Sequence, residues 1–453
     1  MKALYLISSI LLLITNINYS QCNDNEHKIL VLGDSWAFFS WSNNSYNENM
    51  KRFGLSDKTA YSTATLSVNG TKASNFFTDQ ARVQELTDAL NNNPTIEYVH
   101  FSLGGNDILG TYNVSNTIAQ NQQDYNALMV NIKSGIDIIH SINPSIKIFL
   151  AGYDYPNFEE TISNFPIPNQ HPFYSKWDDM GQPTATQLNT ELINVTNIFI
   201  DSVAAWNNVE FISNLGLMQN TYGQATPLTV APGGTYAAGS LTVPGGLSNY
   251  PSPTAALNFG GTDSFHLSNN GYEHFIKRHF QEYYWKAIRN ADASILSNDT
   301  TLNGTISTSL ATTDSLTIGS STGVLTFNTS SLNSTQNIAN ASIFIKREKL
   351  IGNNLIGEDL TLEIKSGHYG ANIQLELDDY NSNSDASSIA CTYGTVNENN
   401  SWMRIDLPYN LLQYINKSGT TQFKLKYPNA GTNNNFTFYN NSNQQAILDI
   451  SYG

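Results

Sequence analysis

The sequence predicts two domains of different class: an α/β domain on a doubly wound parallel sheet, followed by an all-β antiparallel sandwich. Three observations lead there. Over residues 27–290, short apolar runs alternate with stretches whose apolar residues recur every three or four positions. From about residue 315 onward the apolar period drops to two. The chain has 453 residues, room for two or three domains at ~100–200 residues each.

The strand signals of the first domain are Lys28–Gly33, Ile96–Leu103, Ser145–Gly152 and the weaker Val209–Ser213. Helical periodicity fills Phe77–Leu90, Tyr125–Ile142 and Leu188–Trp206, and a last helix covers about Ser268–Asn290. Strands alternating with helices make parallel βαβ units. Such a sheet binds ligands at the carboxyl ends of its strands. Gln219–Gly261 breaks the rhythm, being rich in Gly, Pro, Thr and Tyr. A loop this long inside a compact domain is usually functional or disordered. It reads as a wall or lid over the site, with a plain surface excursion as the equal alternative. The polar stretch Asp292–Asp314 reads as the domain boundary. Beyond it, Ala341–Lys346, Leu360–Lys365, Ile373–Asp378, Met403–Leu407, Phe423–Tyr427 and Ile447–Tyr452 alternate apolar and polar residues, the pattern of sandwich strands.

The N-terminus carries Lys2 and then an apolar run from Leu4 to Ile14. A bilayer span needs ~20 apolar residues, so the run fits the core of a signal peptide with Ser20 before the cut. Residues 1–20 are read as that signal, 21–294 as the α/β domain and 295–453 as the sandwich. The mature protein is then expected to be secreted, extracellular or periplasmic. Export permits a disulfide between the two cysteines, Cys22 and Cys391; two separate thiols fit equally. A lipid anchor on Cys22 is disfavoured by Gln21, where a small residue is usual. Charged residues make up 13% of the chain and the net charge is −15. That balance lacks the basic footprint of a nucleic-acid binder and disfavours polyanions and anionic membranes.

Gly33-Asp34-Ser35-Trp36 closes the first strand, which puts Ser35 at the mouth of the sheet, where a helix N-terminus favours negative charge. Alone, this tripeptide is an ordinary turn or N-cap. Asp263-Ser264-Phe265-His266 lies just before the last helix. A nucleophilic serine needs a base, and the base needs a carboxylate to fix its tautomer; Asp263 and His266 are close enough in sequence to pair. Gly104-Gly105-Asn106-Asp107 ends the second strong strand, and its Asn106 amide can donate to a developing oxyanion. Gly70, in Asn69-Gly70-Thr71, offers a backbone N–H for the same purpose.

Gly-Asp-Ser, a second-block glycine, Gly-x-Asn-Asp and Asp-x-x-His, in this order over about residues 27–290, resemble the SGNH (GDSL) hydrolase family. The resemblance implies a flavodoxin-like three-layer fold and metal-free ester hydrolysis through an acyl-enzyme, with no cofactor. Ser35 would be the nucleophile, His266 the general base and acid, and Asp263 its orienting carboxylate. Ser35 N–H, Gly70 N–H and the Asn106 side chain would form the oxyanion hole. Trp36 stands where many members have Leu, and the segment before Asp263 is long; both are expected to shape the substrate pocket. His274 and His279, five residues apart on the last helix, do not share a face and suggest no metal site. Gly319-Ser320-Ser321-Thr322-Gly323 matches a nucleophile elbow, but the elbow needs a following helix, and Val324–Phe327 reads as a strand.

The sandwich has no catalytic set. It resembles the DNRLRE-type β-sandwich of exported proteins in its opening strand, the turn Gly367–Gly370 and its closing strand. Tyr369, Tyr380, Tyr393 and Trp402 are either platforms for sugar or surface contact or, as strand aromatics usually are, packing residues. The function expected is a secreted serine esterase or lipase acting on an acyl ester, either a lipid or an acetylated glycan. A glycan- or surface-binding adhesion protein on an inactive hydrolase-like scaffold is the alternative, and acyl transfer to an alcohol is a third reading.

Overall fold

The computed structural model describes residues 25–224, 235–289, 294–396 and 398–453. The signal-peptide reading of residues 1–20 and Cys22 lie outside them, as do residues 225–234 of the expected wall. Cys391 is a disulfide cysteine. No helix among the described residues is long and apolar enough to cross a membrane. The chain divides into two compact units. One comprises Glu26–Met50 and Lys58–Ala291; the other includes Lys51–Asp57 and Asp292–Gly453.

The first unit is a five-stranded parallel sheet. Its strands are β1 (Glu26–Gly33), β2 (Lys58–Tyr61), β3 (Tyr98–Ser102), β4 (Lys147–Ala151) and β5 (Val209–Ile212), in the order β2-β1-β3-β4-β5. That is the doubly wound order, whose topological switch point lies between β1 and β3. The central strands are largely apolar because helices cover both faces: Ile29, Leu30, Val31, Leu32, Val99, Phe101, Ile148 and Leu150 are fully buried, with His100 and Ser102 of β3 as buried polar exceptions.

The helices start where the sequence caps them. Asp79 accepts from Ala81 N and Arg82 N at the head of Gln80–Asn92. Thr117 and Gln120 form a capping box ahead of Ile118–Ile142, and Thr184 and Gln187 form another ahead of Ala185–Val203. The last helix begins at Ser268, whose Oγ accepts from Gly271 N at 3.1 Å. It runs as Asn269–His279, a π turn over Phe280–Tyr284 and a final helical turn to Ile288.

The second unit is antiparallel. Its strands are β6 (Ser294–Ser297), β7 (Gly304–Ile306), β8 (Ala311–Thr312), β9 (Leu316–Gly319), β10 (Thr322–Asn328), β11 (Ile338–Ile351), β12 (Leu360–Ser366), β13 (Ala386–Tyr393), β14 (Trp402–Asp406), β15 (Thr420–Lys426), β16 (Asn435–Phe438) and β17 (Ile447–Tyr452). β13 serves two partners: Ala386–Ala390 pair with β12, and Cys391–Tyr393 pair with β14. Side chains from β11, β14 and β17 (Ile343, Ile405 and Leu448) and from β10, β12 and β15 (Leu325, Leu362 and Phe423) fill one apolar core. That is sandwich packing.

The described part of the boundary stretch Asp292–Asp314 supplies β6, β7 and β8, and Asn303 Oδ1 accepts from Thr326 N at 2.7 Å. Ile373–Asp378 alternates but is not a strand. Asn372 Oδ1 takes Gln374 N at 2.9 Å and Asp379 Oδ2 takes Glu376 N at 2.8 Å, so local side-chain bonds turn the backbone into a 3₁₀ helix at Leu377–Asn381. Tyr369 and Tyr393 are buried, with Lys424 Nζ 4.0 Å and the Arg404 guanidinium 4.1 Å from their ring centroids, so neither offers a free face to a sugar. The elbow-like Gly319–Gly323 is the tight turn joining β9 to β10.

Candidate active site

β1 reaches the carboxyl edge of the sheet at Gly33, whose φ of 146° lies in the region that favours glycine. A methyl group there would stand 1.8 Å from Ser102 O. This close approach lets Asp34 N donate to Ser102 O at 2.9 Å and Val68 N donate to Gly33 O at 2.8 Å, so the end of β3 and the segment after β2 flank the end of β1. Gly33→Ala is expected to cost more than about 3 kcal/mol of stability, read as a drop in the urea midpoint.

Asp34 is the N-cap of the helix Ser35–Ser42, and its Oδ1 accepts from Trp36 N at 3.0 Å. Ser35 is therefore the first helical residue, where backbone N–H groups have no intrahelical partner and the helix dipole favours negative charge. Its hydroxyl is paired with the imidazole of His266: Oγ to Nε2 is 2.9 Å. On the far side of the ring, Nδ1 lies 3.1 Å from Asp263 Oδ2. Asp263 Oδ1 accepts from Phe265 N and His266 N, both at 2.8 Å. The carboxylate thus holds the protonated Nδ1 tautomer and leaves Nε2 to accept from the serine. Asp263 is buried, while the His266 side chain keeps 20% exposure at the mouth of the site.

The loop that carries Asp263 and His266 is held on all sides. Asn258 N donates to His266 O at 3.0 Å, and Asp263 N donates to Asn258 O at 3.2 Å. His171 Nε2 donates to Thr262 O at 2.6 Å. Asn157 N donates to Ser264 O at 2.8 Å, and Thr161 Oγ1 lies 2.7 Å from Ser264 Oγ. The end of the long Gly/Pro-rich stretch is thus a brace for this loop. Further back, Gln219 fastens that stretch through Leu247 N, Leu247 O and Tyr250 O.

Asn106 follows β3, the neighbour of β1, in the helix Gly105–Thr111. Its Nδ2 donates to Thr71 O at 3.1 Å, and Asp107 Oδ2 accepts from Ala73 N at 2.8 Å. These bonds tie the Asn106 turn to the turn that contains Gly70. Gly70 has φ 72°, and Thr71 N closes that turn on Val68 O at 3.4 Å. The five expected site residues, Ser35, Gly70, Asn106, Asp263 and His266, therefore all lie on segments gathered at or linked to the carboxyl edge beside the β1/β3 switch point. Ser35, Asp263 and His266 are in direct hydrogen-bond contact.

Other expectations change. Trp36 does not shape a pocket: it is buried and packs edge-on against Tyr153, Tyr272 and Phe275. The aromatics beside the imidazole are Phe39, at 5.3 Å between ring centroids, Phe265, at 5.4 Å, and Phe173, at 5.9 Å. His279 is a core residue, its Nε2 2.8 Å from Asn214 Oδ1. Sequence reasoning missed Tyr153, whose hydroxyl donates to Asp34 Oδ2 at 2.5 Å. Its position just after β4, at the ligand-binding edge of a doubly wound sheet, was the available signal. Burial pushes the Asp34 carboxyl up to about 7, against the pull of the Tyr153 and Trp36 hydrogen bonds. Burial also raises Asp107.

Residues 29–278 match the profile of the family described as GDSL-like Lipase/Acylhydrolase. The chain belongs to this family. None of the curated proteins compared with it matches. Among solved structures it is similar to a family 3 carbohydrate esterase of Clostridium thermocellum, at 16% identity and TM-score 0.31, over 59% of this chain and 99% of that one. It is also similar to a GDSL-like lipase of Bacteroides thetaiotaomicron, at 12% identity and TM-score 0.31, over 58% and 89%. A third is the periplasmic domain of a lipopolysaccharide acetyltransferase of Salmonella ser. Paratyphi A, at 18% identity and TM-score 0.31, over 58% and 85%.

Proposed function

We propose that this esterase-type hydrolase is an exported serine ester hydrolase that cleaves acyl esters through Ser35, His266 and Asp263. The observation that carries the reading is the unbroken relay from Ser35 Oγ through His266 to Asp263, at 2.9 and 3.1 Å. Ser35 Oγ attacks the ester carbonyl carbon as its proton passes to His266 Nε2. Asp263 keeps the ring oriented and stabilises the imidazolium that forms. The negative charge on the carbonyl oxygen falls to the N–H groups of Ser35 and Gly70 and to the Asn106 amide. Collapse of the tetrahedral intermediate breaks the ester C–O bond, and the alcohol leaves with the proton from Nε2. Water then attacks the acyl-enzyme by the same route and releases the acid.

The substrate class is an acyl ester, a lipid or an acetylated glycan. Phe39 and Phe173 beside the imidazole favour an apolar group next to the base. An alkyl fluorophosphonate tests the reading. It is expected to add one phosphonyl group per chain, found on the peptide containing Ser35 by mass spectrometry. Labelling on another residue, or none, overturns it.

A further inference from the structure

Three separate segments bring the proposed machinery together: Asp34–Ser35 after β1, Gly104–Asn106 after β3, and Asp263–His266 before the last helix. One side chain from a fourth segment reaches all three. Tyr153, two residues beyond β4, is buried. Its hydroxyl donates to Asp34 Oδ2 at 2.5 Å, beside the serine. Its ring lies so close to Gly105 that a methyl group there would stand 2.8 Å from Tyr153 Cε1 and Cζ. The same ring is 5.8 Å from that of Phe265, the residue between Ser264 and His266, and 5.3 Å from that of Trp36. Burial and the neighbouring Asp34 hold the phenol far above its ordinary range, so it remains a donor.

We infer that Tyr153 is a positioning residue for ester cleavage, setting through Asp34, Gly105 and Phe265 the mutual placement of the serine, the Asn106 amide and the imidazole. This rests on the hydrolase reading above. Misplacing a reacting group by about 1 Å costs on the order of 10²-fold in rate, and Tyr153 touches all three segments from outside them. The absence of a Cβ at Gly105 then has a reason: the space is filled by the Tyr153 ring. Asp34 faces Trp36 N–H, the Tyr153 hydroxyl, the His266 imidazole and the Asp107 carboxyl. Removing the hydroxyl removes a donor that favours the ionised Asp34, so Asp34 takes up its proton at higher pH.

The test compares Tyr153→Phe with Tyr155→Phe, a nearby control that also loses a hydroxyl bond, part-buried, to Gly245 O at 2.7 Å. On p-nitrophenyl butyrate, Tyr153→Phe is expected to lower kcat by about 10- to 100-fold with KM little changed. It should also move the acidic limb of the pH–rate profile upward. Tyr155→Phe is expected to lower the melting temperature without either effect. If wild type is labelled at Ser35 by the fluorophosphonate and Tyr153→Phe matches it in kcat and pH profile, the inference is overturned while the hydrolase reading stands. The inference also falls if both variants lose activity only in proportion to lost folded protein. Failure of wild type to label at Ser35 overturns the hydrolase reading instead.

Discussion

Ser35→Ala is expected to lower kcat toward p-nitrophenyl esters by at least about 10⁴-fold while leaving the protein folded. The size follows from what the hydroxyl does. His266 Nε2 is 2.9 Å from Oγ, and Asp263 supports the ring from the other side. Without the oxygen there is no bond to form with the carbonyl carbon, and imidazole and carboxylate have nothing to activate. What survives is the proposed oxyanion hole and substrate binding, which would still act on attack by water. The structural cost is small: alanine suits a helix, and the partner left behind, His266, keeps access to solvent. A stability change within about 1 kcal/mol is expected from denaturant unfolding. Initial rates across a series of short- to long-chain esters, without added metal, decide the matter. A variant retaining a tenth of the wild-type rate would place the nucleophile elsewhere.

Asp263→Asn is expected to reduce kcat by about 10⁴-fold for a different reason. Asp263 Oδ1 already serves two backbone N–H groups, Phe265 and His266. An asparagine that keeps those bonds must present its NH₂ to His266 Nδ1. The ring then accepts there and carries its proton on Nε2, which turns the base into a donor toward Ser35. Geometry survives and chemistry does not. The measurement is kcat alongside a thermal melt. A loss under tenfold with the fold intact would mean that the carboxylate does not set the tautomer.

The parallel sheet was legible because its strands β1, β3 and β4 are buried on both faces and therefore read as mainly apolar runs, broken in β3 only by His100 and the closing Ser102. β2, Lys58–Tyr61, was not, since this edge strand has only Ala60 buried and leaves no such run. Asp263 and His266 were legible because their partnership spans three residues, short enough to see in a motif. Ser35 stood out through the glycine and aspartate ahead of it, and Gly33 sits where a Cβ would meet Ser102 O at 1.8 Å. Tyr153 escaped because its partners Asp34, Gly105 and Phe265 are brought to it only by the tertiary fold. The direction of Trp36 escaped for the same reason: whether a helix turns a side chain to the core or to the ligand depends on where that helix is laid. Ile373–Asp378 misled because alternation ignores the local side-chain bonds that divert the backbone.

Ser35 and His266 stand 231 positions apart in the chain, and this distance has a consequence for the order of events in folding. Loop closure over so long a span is entropically costly, and contacts of high sequence separation form late. A chain emerging from synthesis can build β1 to β5 and still lack the proposed base, because His266 lies beyond all of them. Activity therefore reports completion of the α/β unit rather than its beginning. In refolding, circular dichroism is expected to recover ahead of ester turnover, and a chain ending before Asp263 carries its serine harmlessly.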